Sequence, residues 1–346
     1  MLSAEALRPL PKAELHLHLD GSLRPETAVE LAGAIAMPLD LGEARRRLVG
    51  PDRCDSQAQL LQYFDLPIAL LQTADALERV TAELVDDLVT DGVRYAEIRW
   101  APRLHLERGL SVTAVLEAVA AGVARAASAH GTATPLVGLI VTAMRSHPPA
   151  ANVELARTAA AFGPPILGFD LAGLEAEWPA PPHAAAFNVA REGGLALTAH
   201  AGEVAGPQRV REVLDFGISR VAHGVTAVDD DALLQLLRAR DITLDLCPTS
   251  NVQAGIVADL SSHPIAALHR AGVKVTLSTD DRTVTGTSLS EEMARTANAV
   301  GLTNAELAAI ALNAFASAFA PPVAVAPIST GAARAWDAWR NGAGIS

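Results

Sequence analysis

Short apolar runs recur along this chain, and each is followed by an alanine-rich stretch with helical periodicity. The runs predict eight β-strands. They are KAELHLH near 12–18, RYAEIRW near 94–100, LVGLIVT near 136–142, ILGFDLAG near 166–173, LALTAH near 195–200, SRVAHG near 219–224, ITLDLC near 242–247 and VKVTLSTDD near 273–281. Between them, segments such as ALERVTAELVDDLVTDG carry apolar residues three and four positions apart and end in Asp-Gly, which is typical of an amphipathic helix.

This alternation indicates an α/β fold, either a closed (β/α)8 TIM barrel or a doubly wound open sheet. The polar residues favour the barrel, because the carboxyl ends of barrel strands share one rim where chemistry gathers. Histidines and aspartates end several of the predicted strands, namely His16, His18, His200, His223, Asp280 and Asp281. The chain also lacks a glycine-rich nucleotide fingerprint, a phosphate-binding loop and a Gly-x-Ser-x-Gly elbow, which excludes the common functions of doubly wound sheets.

The domain organisation follows from the spacing of these elements. We expect one (β/α)8 domain over residues 1–346, because barrels reach this length as a single unit. The long segment after the first strand, approximately residues 24–90, is predicted to be a helical lid insertion. The Pro/Ala/Gly-rich residues 320–346 are predicted to be a C-terminal appendage.

Composition narrows the possible partners and location. A net charge of -12 without a basic cluster argues against nucleic acid or an anionic membrane as partner. The N-terminus lacks the features of a signal peptide, and no later run reaches the ~18 apolar residues of a membrane span. Two cysteines, Cys54 and Cys247, form no CxxC pair, which indicates a reducing compartment. We therefore expect a soluble, cytoplasmic protein, and the sequence leaves its oligomeric state open.

The segment ELHLHLDGS at residues 14–22 alternates apolar and polar positions. Residues i and i+2 of a strand face the same side, so His16 and His18 point into the barrel while the leucines between them face the helices. Two inward imidazoles can chelate a metal ion. A pair of buried, hydrogen-bonded histidines would explain the same motif.

Further groups on this rim favour the metal interpretation. His200 and Asp280 complete a nitrogen and oxygen donor set suited to zinc or a similar divalent ion, with an open position for water as in catalytic sites. His223 and Asp281 lie on the same rim, where each could also be a salt-bridge or core residue.

An acid follows the fifth predicted strand in TAHAGE. Glu203 lies three residues beyond His200, and Gly202 permits a tight turn that bends the carboxylate back over the pocket. Glu203 is therefore a candidate proton donor. The alternative is that it caps the next helix or lies in its first turn.

Seven segments, taken jointly and in this order, resemble the adenosine deaminase family of the metal-dependent amidohydrolase superfamily. They are PKAELHLHLDGSL (11–23), YAEIRWAP (95–102), GFDLAG (168–173), TAHAGE (198–203), VAHG (221–224), LDLCPTSNV (244–252) and TLSTDD (276–281). The match spans most of the chain. It implies hydrolytic deamination of adenosine or a related 6-aminopurine nucleoside to the 6-oxo product and ammonia.

The resemblance also implies roles for individual residues. One divalent ion, zinc, would be held by His16, His18, His200 and Asp280. Glu203 would donate a proton to purine N1 during attack on C6, while His223 and Asp281 orient and deprotonate the attacking water. A general acid must keep its proton near neutral pH, so we expect burial to raise the pKa of Glu203.

Substrate-binding residues follow from the same resemblance. Asp20 would contact the ribose 5′-hydroxyl, and Gly173 would read purine N3 through its backbone. The stretch LLQYFDLP (60–67) resembles an apolar lid, with Leu61 and Phe64 as gate candidates, although ordinary helix packing explains the same stripe.

Two departures from the family pattern keep other substrates open. The chain reads Gly173-Leu174-Glu175 where many members have Gly-Asp-Glu, and Arg282 replaces a proline after the paired aspartates. We expect both positions on rim loops, where specificity is set. Deamination of a 5′-modified adenosine such as aminodeoxyfutalosine or methylthioadenosine, or of free adenine, therefore remains an alternative.

Other chemistries fit the sequence less well. Lys12 and Lys274 begin predicted strands at the opposite rim, which disfavours a lysine-bridged binuclear site and a Schiff-base aldolase. A second architecture of zinc deaminases uses an H-x-E motif followed by P-C-x-x-C, and Cys247 has no second cysteine at that spacing. AMP-specific relatives would need a phosphate pocket, and the sequence has no basic cluster to form one. A catalytically silent nucleoside-binding barrel would be expected to lose a ligand or Glu203, and neither is lost.

Overall fold

The computed structural model describes residues 1–342, in which eight parallel strands form one sheet in sequence order. The strands are β1 Lys12–His18, β2 Val93–Trp100, β3 Leu136–Met144, β4 Ile166–Ala172, β5 Ala196–Ala201, β6 Arg220–His223, β7 Thr243–Leu246 and β8 Lys274–Leu277. Each overlaps an expected apolar run. As predicted, Lys12 and Lys274 begin β1 and β8.

Backbone contacts between β1 and the segment after β8 close the sheet into a barrel. The His18 N–H donates to the Asp280 carbonyl at 2.6 Å, and the Asp280 N–H donates to the His16 carbonyl at 3.1 Å. The predicted (β/α)8 barrel is confirmed. The expected length of the last strand was wrong, because β8 ends at Leu277 and Asp280 adopts φ 66°, a left-handed conformation that a strand does not accommodate.

Helices connect and surround the strands. Those before β2 are α1 Ala4–Leu7, α2 Pro25–Ala34, α3 Leu41–Leu48, α4 Gln57–Leu60, α5 Asp65–Leu70 and α6 Ala74–Thr90. Those that follow are α7 Val112–His130, α8 Pro149–Phe162, α9 Ala184–Glu192, α10 Pro207–Leu214, α11 Asp231–Ala239, α12 Pro248–Gln253, α13 Ile265–Arg270, α14 Leu289–Val300, α15 Asn304–Ala316 and α16 Pro322–Arg340. Short 3₁₀ turns occur at Asp20–Ser22, Leu61–Phe64, Pro102–His105, Gly131–Ala133, Pro181–His183, Val225–Asp229 and Leu260–Ser262.

The amphipathic segment before β2 forms the helix α6, as predicted. Thr73 caps its start by accepting from the Ala76 N–H, and α6 packs against α7. The span Val112–Ala133, which contains α7, is the one helix in residues 1–342 long and apolar enough to cross a membrane, with a mean hydropathy of 1.4. A helix that packs one face on a core has the same composition, and residues such as Leu116 and Val119 are buried in the main core.

The segment between β1 and α6 lies beside the carboxyl ends of the strands. Its Cys54 and Leu60 form a small apolar cluster with Ala254 and Val284, which belong to the regions after β7 and β8. This cluster anchors the segment next to the rim. The lid boundaries at residues 24–90 stay a prediction, and α6, within that range, belongs to the outer helices.

The C-terminal helix α16 packs against α15. Trp336 is buried, and its indole N–H donates to the Pro11 carbonyl at 2.8 Å. Residues 343–346 of the predicted appendage lie outside the described residues.

A buried ionic network lies near the amino end of the barrel. The Arg220 guanidinium pairs with Glu97 and, at 3.2 Å, with Asp245, and it lies 3.6 Å from the centre of the Phe319 ring. All three ionisable side chains are almost fully buried. The network therefore links β2, β6 and β7 in a low-dielectric environment, where an unpaired charge is strongly unfavourable.

We predict that Arg220→Met lowers the free energy of unfolding by about 3–5 kcal/mol, because it removes the guanidinium that pairs directly with two buried carboxylates. Denaturant unfolding measures the change. The matched control is Arg211→Met, which removes a half-exposed pair with Asp230 and is expected to lower stability by about 0–1 kcal/mol. Equal losses in the two variants would contradict the role of the buried network.

Candidate active site

Four predicted metal ligands converge at the carboxyl end of the barrel. The Nε2 atom of His18 lies 3.2 Å from Nε2 of both His16 and His200, and Asp280 Oδ1 lies 2.9 Å from His16 Nε2 and 3.3 Å from His18 Nε2. One donor atom from each residue lies within 4.8 Å of all the others. The structure thus brings together side chains from β1, β5 and the turn after β8.

A second carboxylate orients one of these histidines. His200 Nδ1 lies 3.1 Å from Asp170 Oδ1, and Asp170 also accepts from the Thr142 hydroxyl at 3.2 Å. An Nδ1–H donated to Asp170 leaves the Nε2 lone pair of His200 for a metal ion. The sequence interpretation missed Asp170, although its position as an inward acid in GFDLAG could have indicated it.

The protonation states suit a divalent cation. Burial lowers the pKa of His16 well below its usual value and that of His18 to about 3, so both rings are neutral at pH 7. Despite its burial, Asp280 has a pKa well below the usual value because of the neighbouring histidines. Neutral imidazoles and a carboxylate are zinc ligands, and adjacent lone pairs at 3.2 Å repel one another unless a cation or proton lies between them. The donor set therefore fits a zinc ion.

Cys247 lies close to this cluster but is not one of the four predicted ligands. Its sulfur lies within 4.8 Å of ring nitrogens of His16 and His223. Burial raises the pKa of the Cys247 thiol well above its usual value, which favours the protonated form. Cys247 is a buried side chain outside the four-residue donor set.

Glu203 lies in the pocket and not at a helix terminus. The next helix begins at Pro207 with Gly206 as its cap, so the capping alternative is wrong. Gly202 adopts φ 73°, the turn predicted from its lack of a side chain. This turn places Glu203 Oε1 3.5 Å from His223 Nε2.

The environment of Glu203 favours its protonated form. Burial, reinforced by the nearby Glu175 carboxylate, raises the pKa of Glu203 to about 8. The side-chain amide of Gln57, from α4, donates to Glu203 Oε2 at 2.8 Å. Gln57 was missed by the sequence interpretation, since a polar residue on a short helix gives no signal of such a contact.

His223 and Asp281 complete the polar wall. His223 adopts φ 67°, an unfavourable conformation for a residue with a Cβ, and its Nε2 lies 3.7 Å from Asp280 Oδ2. Burial and the adjacent Asp280 raise the pKa of Asp281 well above its usual value. A cation at the four donor atoms would favour the ionised form of Asp281. Gly21 packs so closely on Asp281 that a Cβ would overlap its carboxylate.

A cavity of about 250 Å³ opens onto these groups. Its size is slightly below the roughly 300–1,000 Å³ typical of sites for drug-sized ligands. All four residues expected to bind substrate line it, namely Asp20, Gly173, Leu61 and Phe64. Asp20 Oδ1 lies 3.0 Å from His105 Nε2. The side chains that line the cavity include no lysine or arginine within residues 1–342.

The two side chains that depart from the family pattern, Leu174 and Arg282, are not among the residues that line the cavity. Arg282 is directed away from it, toward Glu14 at 3.3 Å and Asp91 at 3.1 Å. Glu175 accepts from four consecutive backbone N–H groups after β5, those of Gly202, Glu203, Val204 and Ala205, at 2.7 to 3.2 Å. Arg282 thus pairs with buried acids, and Glu175, which matches the family pattern, holds the Glu203 loop. The expected influence of these two rim loops on specificity stays a prediction.

Comparisons with known proteins agree with this geometry. The family model described as "Adenosine deaminase" matches residues 11–328. The chain belongs to the adenosine deaminase family. An adenosine deaminase from Mycobacterium ulcerans is 40% identical over 338 residues, which cover 92% of this chain and 93% of that protein. This family member is therefore a metal-dependent aminohydrolase that catalyses adenosine-type deamination.

Solved structures extend the comparison. An amidohydrolase from Burkholderia ambifaria with bound Zn has a TM-score of 0.90 and 25% identity, with 98% of this chain and 94% of that chain covered. An arabidopsis ADAL complexed with IMP has a TM-score of 0.84 and 26% identity, with 98% and 100% covered.

We predict that Glu175→Gln loosens the loop that carries Glu203. The new amide nitrogen cannot accept, so backbone N–H groups near Glu203 lose a partner at a cost of about 1–3 kcal/mol. Hydrogen exchange of the amides at 202–205 should accelerate, and kcat should fall. Glu177→Gln, at an exposed position nearby, is the control. Unchanged exchange in Glu175→Gln would show that the carboxylate does not hold the loop.

Proposed function

We propose that this adenosine deaminase family member converts adenosine to inosine and ammonia, with one zinc ion held by His16, His18, His200 and Asp280. The observation that carries the proposal is the position of Glu203. A carboxyl group whose pKa is raised to about 8 faces the same small cavity as the cation-binding cluster. An acid protonated at neutral pH beside a site for an activated water is the arrangement that deamination of an aminopurine requires.

The choice of zinc is supported by the donor set and by the zinc-bound structural relative. Bound there, zinc would supply Lewis-acid activation of a water molecule.

The residues around the cavity transfer protons, orient the attacking water and bind the substrate. Glu203 donates its proton to purine N1, which makes C6 more electrophilic. His223 and Asp281 lie beside the ligand cluster, where they orient the attacking water and take up its proton. The water oxygen bonds to C6, the bond from C6 to the exocyclic nitrogen breaks, and ammonia leaves with the transferred proton. The Gly173 backbone binds purine N3 and Asp20 binds the ribose 5′-hydroxyl, which the presence of both residues in the cavity lining supports.

The cavity lining favours a nucleoside over a nucleotide. Arabidopsis ADAL was crystallised with IMP. A buried phosphate needs arginine, lysine or several N–H donors, and the described cavity presents no cationic side chain. The carboxyl group of Asp20 instead suits a hydroxyl donor at the sugar end. A cytoplasmic location remains part of this proposal, supported by two buried cysteines that form no disulfide.

Zinc-loaded protein should deaminate adenosine and lose this activity on chelation, with recovery when zinc is restored. We predict a kcat/KM for AMP at least about 100-fold below that for adenosine, because an unpaired buried charge costs several kcal/mol. The fall in ultraviolet absorbance on deamination measures both rates. A panel with deoxyadenosine, adenine, methylthioadenosine and aminodeoxyfutalosine completes the experiment. Preference for any of the last three, or for AMP, would overturn the substrate assignment.

The variant Glu203→Gln should bind zinc as the parent protein does but lose about 10²–10⁴-fold in kcat, because an amide cannot deliver a proton. Elemental analysis and steady-state kinetics on the same sample separate the two effects. Glu177→Gln, which makes the same change from acid to amide at an exposed position, is the control. Parental turnover in Glu203→Gln would remove Glu203 from its role as the acid.

A further inference from the structure

A chain of hydrogen bonds runs behind His223, on the side away from the cavity. His223 Nδ1 lies 3.1 Å from Asn251 Nδ2, and Asn251 Oδ1 lies 3.1 Å from His263 Nε2. Asn251 belongs to α12, and His263 follows the 3₁₀ turn Leu260–Ser262. All three residues are buried, with exposed fractions of 3% or less.

The direction of the chain is fixed at its outer end by the main chain. The backbone N–H of Ile265 points at His263 Nδ1 at 3.2 Å. A backbone N–H can only donate, so His263 Nδ1 carries a lone pair. Burial lowers the pKa of His263 to about 3, which keeps the ring neutral. The single ring proton of His263 therefore lies on Nε2.

This proton determines the orientation of the Asn251 amide. His263 Nε2–H donates, so the atom of Asn251 that faces it is the carbonyl oxygen. The amide nitrogen must then face His223 Nδ1 and donate to it. His223 Nδ1 accepts, and the ring proton of neutral His223 lies on Nε2. That atom faces Glu203 and Asp280 at 3.5 and 3.7 Å.

We propose that Asn251 and His263 are positioning residues that hold His223 as the Nε2–H tautomer, so that His223 donates a hydrogen bond into the reaction site. The inference rests on the proposed function and refines it. A ring with its proton on Nε2 orients the attacking water but does not accept the proton of that water. Within the proposed reaction, Asp281 is then the group that accepts the proton of the attacking water.

The tautomer can be observed directly in the zinc-loaded protein. Histidine labelled with ¹⁵N gives different nitrogen frequencies for protonated and unprotonated ring positions, and the His223 signals are assigned by their loss in His223→Gln. We expect His223 with a protonated Nε2 and an unprotonated Nδ1. A proton on His223 Nδ1 in the parent protein would overturn the proposal without any reference to turnover.

The variant Asn251→Asp tests the link to catalysis. A carboxylate has no proton to donate, so it should attract the proton to His223 Nδ1 and reverse the tautomer. We expect kcat to fall by about 10²–10⁴-fold with little change in KM, in line with the effect of a wrong tautomer on a catalytic histidine in a serine protease. Variant His263→Gln keeps an N–H donor toward Asn251 and should retain the Nε2–H tautomer. If Asn251→Asp keeps the parental tautomer or the parental kcat, the proposal fails.

The chain offers a matched control. Asn152 is buried on α8 and presents its amide nitrogen to His183 Nδ1 at 3.0 Å, yet neither residue lines the cavity. Asn152→Asp makes the same chemical change in a similar setting, and it should keep the His223 tautomer and the parental kcat. An equal loss of kcat in both variants would reduce Asn251 to a structural role and overturn the proposal.

The two proposals fail in distinguishable ways. If zinc-loaded parent protein deaminates no 6-aminopurine, the proposed function is wrong, while the nitrogen spectrum still determines the tautomer. If Asn251→Asp does not fold, the parent spectrum and that of His263→Gln decide the question.

Discussion

Closure of the barrel between β1 and the turn after β8 is the constraint on which the site depends. Two backbone hydrogen bonds join His16 and His18 to Asp280. They bring the Asp280 carboxylate against imidazoles from the opposite end of the chain, and the order of the sheet then places His200 across the rim. If a sheet with this strand order stayed open, the first and last strands would lie at opposite edges and the four donor side chains would not meet.

The packed environment gives neighbouring acids different roles. Asp280 and Asp281 are adjacent in sequence, yet their pKa values shift in opposite directions. Asp280 faces imidazoles and accepts from the Ser250 hydroxyl at 2.7 Å, whereas Asp281 Oδ1 is buried without a hydrogen-bond partner. Glu203 is likewise kept protonated by burial. Environments that separate the pKa values of nearby groups are how one site provides both acid and base functions.

The buried ionic network and the candidate active site lie at opposite ends of the barrel. The Arg220 network lies at the amino end, and the hydrogen bonds described for its side chains do not reach the residues that line the cavity. The rim, in contrast, carries strained backbone at His223 and a buried Asp281 Oδ1 without a hydrogen-bond partner. Hydrogen bonds behind the rim, from Asp170, Glu175 and Asn251, hold the reactive side chains in position. These supporting contacts restrict the imidazole rings and the Glu203 loop to one geometry.

Local periodicity was sufficient to predict the eight strands, the inward direction of His16 and His18, and the helix before β2, because the period of a strand or helix is encoded in adjacent residues. Family resemblance extended this to the candidate catalytic residues Glu203, His223 and Asp281, which line one cavity. Only the tertiary structure decided where β8 ends and that Arg282 points away from the cavity. It also decided which polar groups support the site, namely Gln57, Asp170, Glu175, Asn251 and His263. These depend on contacts between segments far apart in sequence, and a polar residue carries no local signal of its partner. Burial, which raises the pKa of Glu203, arises in the same way once the segment between β1 and α6 packs against the barrel.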